Sequence, residues 1–330
     1  MLNKKKETIL VTGGSGFLGF SLVSQLLKTK NNIIVYDNDF RGNLKKFSKN
    51  IKNLKLIKGD IRNIKKLKKA VNYSDRIFHL AFINGTSNFY DYPKLVMDVG
   101  INGTINLLNL CHKSKKLKNF HYASSSEVYH KPKKYPASEN EFLTVPNPSN
   151  PRFSYSGSKI LGELLTFNYL KKTKIKHNIF RPHNVFGPQM GFEHVIPQIT
   201  EKIYKSSNKF KLRKCKIKIQ GSGKETRSFC FVDDAVDQIL QVSYKGKDKN
   251  IYNVGQKKEI SINKLIQDIS NILKIEVEVK KGKLTQGSVK RRCPEMSKTF
   301  KIKQLKNNYL KGLKTTVNWY KNYFLYEKKK

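Results

Sequence analysis

The chain has 330 residues, enough for one large core or two joined ones, and 38% of them are hydrophobic, which suits a folded protein and argues against disorder. No window holds the roughly 18 consecutive apolar residues that cross a bilayer, and the first apolar stretch is too short for a signal peptide, so a cytoplasmic protein is expected. Four Cys without a C-x-x-C pair fit neither a zinc site nor a disulfide framework, and 66 Lys and Arg against 24 Asp and Glu leave a formal charge of +42.

That charge raises the question of nucleic-acid binding. Only nine of the basic residues are Arg; the other 57 are Lys, spread through the chain. A dedicated nucleic-acid binder would concentrate Arg, whose planar fork matches phosphates and guanine edges. Diffuse Lys predicts a generally basic surface with a weak pull on anionic substrates, and it disfavours a nucleic-acid partner.

In chain order, Thr8 to Thr12 is a short apolar run. It leads into Gly13-Gly14-Ser15-Gly16-Phe17-Leu18-Gly19, and Phe20 to Lys28 then shows helical apolar spacing: strand, glycine turn, helix. Asn32 to Tyr36 reads as a second strand ending at Asp37, about 20 residues past the glycines, the spacing of a nucleotide-binding βαβ unit. Further apolar runs at Leu54 to Ile57, Arg76 to Ala81, Phe120 to Ser124 and Asn178 to Phe180 alternate with helical segments. The alternation predicts an α/β fold, a doubly wound parallel sheet covered on both faces.

Beyond Arg181 the pattern changes to a Gly- and Pro-containing loop, a helix near Pro197 to Ser206, and short strands and helices. Residues 1–180 are therefore expected to form the nucleotide-binding domain and 181–330 mainly a smaller lobe. A segment near 229–255 should return to the sheet, with a last strand at Asn250 to Val254. The Lys-rich ends, Lys4 to Lys6 and Lys328 to Lys330, read as solvated tails.

Gly13, Gly16 and Gly19 would serve, in turn, a tight turn, the approach of backbone amides to a pyrophosphate at a helix N-terminus, and close helix–strand packing. Asp37 can accept hydrogen bonds from the adenosine ribose and repel a 2′-phosphate, which favours NAD over NADP; Arg41 nearby pulls the other way. Tyr155 and Lys159 are four apart on one helical face, so the ammonium can lower the phenol pKa and make Tyr155 a proton acceptor. Ser124-Ser125-Ser126-Glu127-Val128-Tyr129 follows an apolar strand, at the sheet edge where α/β proteins bind ligands.

Taken together the chain resembles an extended short-chain dehydrogenase/reductase of the NDP-sugar epimerase/dehydratase family, along nearly its whole length. The resemblance is carried by TGGSGFLG at 12–19, YDN at 36–38, GDIRN at 59–63, HLA at 79–81, SSSEVY at 124–129 and YSGSK at 155–159. It continues in RPHNVFGP at 181–188, RSFCFVDD at 227–234, YNVG at 252–255 and RRCPE at 291–295. It implies a Rossmann-type sheet, NAD as cofactor, a nucleotide-diphosphate sugar as substrate and a homodimer built on the helices around Pro93 to Lys113 and Tyr155 to Leu170. The implied cofactor residues are Gly13, Gly16, Phe17, Leu18, Gly19, Asp37, Asn38, Asp60, Ile61, Leu80, Ala81, Tyr155 and Lys159, the last two being also the catalytic pair. Ser125 would orient the substrate oxygen, and Ser126, Asn184, Arg227 and Arg292 would hold the substrate.

Two positions depart from the family pattern: Gly100 stands where relatives often carry Asn, and Phe82 replaces a small residue after H-L-A. Where family dehydratases usually show an Asp-Glu pair, this chain has Ser126-Glu127, so the acid for a leaving hydroxyl is missing. Ser-Glu and Arg-Cys-Pro-Glu resemble the UDP-glucuronate decarboxylases, whereas RPHNVFGPQMGFEHVIP departs from them. The resulting order is epimerase first, then decarboxylase, then 4,6-dehydratase, with a basic NAD-binding protein that binds nucleic acid as the distant alternative; Glu127 is either an acid/base near C5 or a buried structural carboxylate.

Overall fold

A computed structural model describes residues 5–48, 50–283, 289–303 and 307–327. The apolar runs of the first half become strands and the segments between them helices. In order these are β1 (Thr8–Thr12), α1 (Phe17–Leu26), β2 (Asn32–Asp37), β3 (Leu54–Lys58), α2 (Ile64–Asn72), β4 (Arg76–His79), α3 (Thr86–Asp91), α4 (Pro93–Lys113), β5 (Asn119–Ala123), α5 (Phe153–Leu170) and β6 (Lys176–Pro182). The second half adds β7 (Val185–Phe186), α6 (Val195–Ser206), β8 (Lys214–Lys218), β9 (Thr226–Arg227), β10 (Cys230–Phe231), α7 (Val232–Lys245) and β11 (Asn250–Val254). It ends with β12 (Ile260–Ser261), α8 (Ile262–Leu273), β13 (Glu276–Lys280), β14 (Arg291–Arg292), α9 (Ser297–Phe300) and α10 (Tyr309–Asn322).

Seven strands form one sheet in the order β11-β6-β5-β4-β1-β2-β3, and every pairing in it is parallel. The chain winds outward from β1 to β3, then crosses back to lay β4 on the other side of β1. That reversal leaves a crevice at the carboxyl ends of β1 and β4, where sheets of this kind bind ligands. The expected doubly wound α/β fold is thus present, and the late strand expected at Asn250 to Val254 is its seventh member, paired with β6.

Side chains of β1 alternate between two apolar layers, which explains its unbroken TILVT run. Ile9 and Val11 join α1 and α7 on one face, while Leu10 joins α2 and α4 on the other. The first layer continues through α6, α8 and α10, so the C-terminal elements share a core with the sheet.

Helix α1 starts at Phe17, three residues before the apolar spacing indicated, because its first turn is made by the glycine-turn residues themselves. Strand β4 ends at His79; Leu80, whose amide still donates to the Thr12 carbonyl at 3.0 Å, and Ala81 follow it and line the crevice. Lys5 and Lys6 are exposed, as expected of a tail; Lys4 and Lys328 to Lys330 lie outside the described residues. All four Cys are free and buried, and among the described residues no helix is long and apolar enough to cross a membrane.

Candidate active site

The glycine turn is shaped by close backbone approach. Gly13 has φ +70°, and a Cβ there would lie 2.6 Å from the Ala81 amide nitrogen; one on Gly19 would lie 2.1 Å from the Gly13 carbonyl oxygen. These two glycines serve the protein's own packing. Gly16 differs: its Cβ would meet only the Gly13 oxygen, at 3.4 Å. Gly16 is also the N-cap of α1 and offers no side-chain cap, so the amides of the first turn face the crevice without a side-chain acceptor. Such a helix end suits an anion.

Asp37 ends β2 at the crevice floor, its carboxylate accepting from the Ser15 amide at 3.0 Å and the Asp39 amide at 2.9 Å. Asn38 donates to Asp60 at 3.0 Å, and Asp60 is fixed in turn by Arg62. The hydrogen bond from Arg62 is the main cause of an Asp60 pKa drawn down to about 2.

Farther along, β5 runs into a 3₁₀ turn at Ser126–Tyr129. The Ser125 hydroxyl caps it by accepting from the Glu127 amide at 3.2 Å. Helix α5 presents Tyr155 and Lys159 to the same place, both nearly fully buried. Burial pushes the Tyr155 phenol up to about 12, and a hydrogen bond with Ser125 offsets part of that rise. Burial also pulls Lys159 down to about 7; its ammonium donates to the Ala123 carbonyl at 2.6 Å. Lys159 thus titrates close to neutrality and Tyr155 well above it, and a positive charge on Lys159 favours the phenolate.

One helical turn beyond Lys159, Glu163 braces this end of the sheet. It accepts from Ser124 at 2.5 Å and from Arg181 Nε at 2.8 Å. Arg181 also reaches the Tyr129 hydroxyl at 2.8 Å, which itself donates to Asn253 at 2.8 Å. The buried pair thus ties β5, α5, β6 and β11 around the turn at Ser126–Tyr129.

Glu127 faces the C-terminal half, where Arg292 Nη1 donates to its Oε1 at 2.8 Å. Burial would raise the Glu127 pKa, but Arg292, Arg152 and Arg227 together outweigh it and hold the carboxyl below its ordinary value. It stands ionised at neutral pH.

One cleft of about 840 Å³ joins these parts. Every expected cofactor residue lines it, together with Ser125, Ser126, Glu127, Tyr155, Lys159, Asn184 and Arg292. Arg227 is not among the lining residues. It lies opposite Arg292 on the paired strands β9 and β14, and its fork is occupied by the carbonyls of Thr226, Val289 and Lys290. Trp319 and Tyr323, near the C-terminus, also line the cleft and carried no motif that could have marked them. Arg41 reaches in as well, near Gly191, Glu193 and Tyr155, which places its charge toward the reacting end of the cleft.

A crevice at the switch point of a parallel sheet, an uncapped helix N-terminus, an acid at the end of β2 and a buried Tyr-Lys pair define a dinucleotide-dependent enzyme that moves hydride and proton together. The residues fit a dinucleotide extended from Asp37, past Gly16, to Tyr155.

The chain matches the model of the NAD dependent epimerase/dehydratase family over residues 9–255 and belongs to that family. It is 30% identical over 321 residues to a putative UDP-glucose 4-epimerase from Methanocaldococcus jannaschii, covering 95% of this chain and 98% of the relative. It is 29% identical over 329 residues to a UDP-N-acetyl-alpha-D-glucosaminuronate decarboxylase from Bacillus cytotoxicus, covering 96% and 98%. Among solved structures it is similar to a variant UDP-glucuronic acid 4-epimerase from Bacillus cereus in complex with UDP-4-deoxy-4-fluoro-glucuronic acid and NAD. The TM-score is 0.82 at 25% identity, with 96% of this chain and 99% of that chain covered. The protein is thus an NAD-dependent enzyme of nucleotide-sugar chemistry.

Proposed function

We propose that the enzyme is an NDP-sugar epimerase that works through a transient 4-keto sugar. The supporting observation is the pairing of a buried Tyr155, set between Ser125 and Lys159, with a catalytic turn whose one carboxylate, Glu127, is ionised and held by Arg292. Tyr155 takes the proton of the sugar C4 hydroxyl while Ser125 orients that oxygen, and the Lys159 charge stabilises the phenolate. Bound NAD supplies the acceptance and return of hydride at C4. Tyr155 then gives its proton back to the oxygen as the hydride returns to the other face of the turned ketosugar. Ser126 offers no acid for expelling a hydroxyl, and the ionised Glu127 offers none either, which disfavours dehydration.

In this reading Gly16 and the first turn of α1 receive the cofactor's pyrophosphate, Asp37 the adenosine ribose, and Asn38, Asp60 and Ile61 the adenine end. Asn184 and Arg292 take the sugar nucleotide, with Arg227 adding positive charge from the adjacent strand. The enzyme acts in the cytoplasm, in keeping with its four free buried thiols. It works as a homodimer: α4 and α5 pack against each other and leave Met97, Leu161 and Leu164 exposed for a second copy.

A second reading, decarboxylation of an NDP-hexuronate, is favoured by the Glu127–Arg292 pair, because a fixed Arg at the cleft wall is suited to a C5 carboxylate. Oxidation at C4 would make that carboxylate β to a ketone, its C–C bond electrons passing into the ring as CO₂ leaves. Incubation with UDP-, GDP-, CDP- and dTDP-sugars, followed by mass spectrometry and NMR, tests both. Unchanged mass with altered ring couplings is expected. A loss of about 44 would establish the second reading, and a loss of about 18 would overturn both.

A further inference from the structure

Phe82 and Gly100, the two departures from the family pattern, meet beside the catalytic pair. A Cβ on Gly100 would lie 2.3 Å from Phe82 Cζ and 2.7 Å from its Cε2, so the ring occupies the space that any other residue at position 100 would claim. The ring face stands 3.8 Å from Lys159 Nζ, and its edge meets the Tyr155 ring at a centroid distance of 5.1 Å. Phe89 stacks on the same Tyr155 ring at 4.9 Å.

We propose that Phe82, admitted by Gly100, is a positioning residue of the proton-transfer site, its ring face seating the Lys159 ammonium beside Tyr155. The proposal rests on Tyr155 and Lys159 being the proton-handling pair. An ammonium stripped of water needs a substitute for hydration, and an aromatic face supplies one without admitting a competing hydrogen-bond acceptor.

The other groups facing Lys159 cannot replace this contact. From β5 come the Ala123 carbonyl, which takes one proton, and the Tyr122 ring, 5.0 Å away. From β4 comes His79, kept neutral by burial with its pKa near 3. On α5 itself stand the Tyr155 ring at 5.8 Å and Glu163, whose charge is met by Arg181 at 2.5 Å. Among these the Phe82 ring is the aromatic face closest to the ammonium.

The test reads Lys159 directly. Wild type, Phe82→Leu, Gly100→Ala and the double variant are acetylated competitively across a pH series. The labelling of Lys159 is followed by peptide mass spectrometry, and the melting temperature of each protein is recorded. Leucine keeps the pocket dry and removes the ring face, so the Lys159 midpoint should fall by roughly half a pH unit or more. Gly100→Ala should do the same by pushing an intact ring away, and should cost less melting temperature in the Phe82→Leu background than alone. If Phe82→Leu does not fold, Gly100→Ala carries the test. Unmoved midpoints overturn the proposal even where melting temperatures fall, because packing alone would lower those. The titration needs no turnover, so failure to convert any NDP-sugar would count against the functional reading and leave this one standing or falling by its own measurement.

Discussion

The two ends of the cleft, the one proposed for the cofactor and the one proposed for the sugar, are built by different means. The cofactor end is backbone: the turn at Gly13 and Gly19, closed by carbonyl and amide contacts, and the open first turn of α1 at Gly16. The sugar end is side chain, with Glu127 held by Arg292 from 165 positions away and Trp319 and Tyr323 reaching in from near the C-terminus. A backbone site depends on a few local residues of fixed type. A side-chain site depends on how distant segments pack, and it can change chemistry while the first end stays as it is.

The sharpest separation of the two ends comes from Tyr155→Phe. It should lower kcat about 10²- to 10⁴-fold while NAD affinity, measured by calorimetry, stays within about threefold of wild type. Next, Gly19→Ala should cost about 2–3 kcal/mol of stability in denaturant titrations, because a methyl there meets the Gly13 carbonyl.

Arg292→Ala should lower kcat/KM about 10- to 100-fold, the worth of a charged hydrogen bond. It should also change the pH profile. Glu127 now has a folded pKa below its unfolded one, so its contribution to stability is present above the unfolded value and is lost as pH falls through the folded one. Without Arg292, burial should raise the Glu127 pKa and move the acid limb of kcat/KM to higher pH; a limb that stays put would show that Glu127 plays no part in turnover.

The smallest effect is expected from Gly16→Ala. The methyl meets little protein, so the melting temperature should hold, while NAD binding weakens about fivefold or more from crowding of the pyrophosphate position. If Gly16→Ala destabilised the fold as much as Gly19→Ala, the division between packing glycines and a ligand glycine would fail.

The same contrast explains what could be read from the sequence. The glycines, Asp37, the strand runs and the Tyr155–Lys159 spacing are local patterns with one physical solution, and the structure assembles them around one cleft. At the sugar end the polar turn after β5 was legible in the same way, but the Arg residues beyond it only through resemblance. Resemblance put Arg227 on the substrate, but it could not show that the carbonyls of Thr226, Val289 and Lys290 occupy its guanidinium. Nor could two separate oddities, Phe82 and Gly100, be recognised as one contact before α4 was packed against the loop after β4. Arg41 was read as a mark against NAD, yet its charge lies toward Tyr155 and Glu193.

The pairing of β6 with β11 also bears on how the chain is made. While the ribosome is still producing residues 183 to 249, β6 can join β5 but has no partner on its other side, and its backbone donors and acceptors form an open edge. Nascent chains in that state invite pairing with one another. The Lys residues are spread through the chain, so such nascent chains already carry an excess of positive charge, and like charge opposes their encounter.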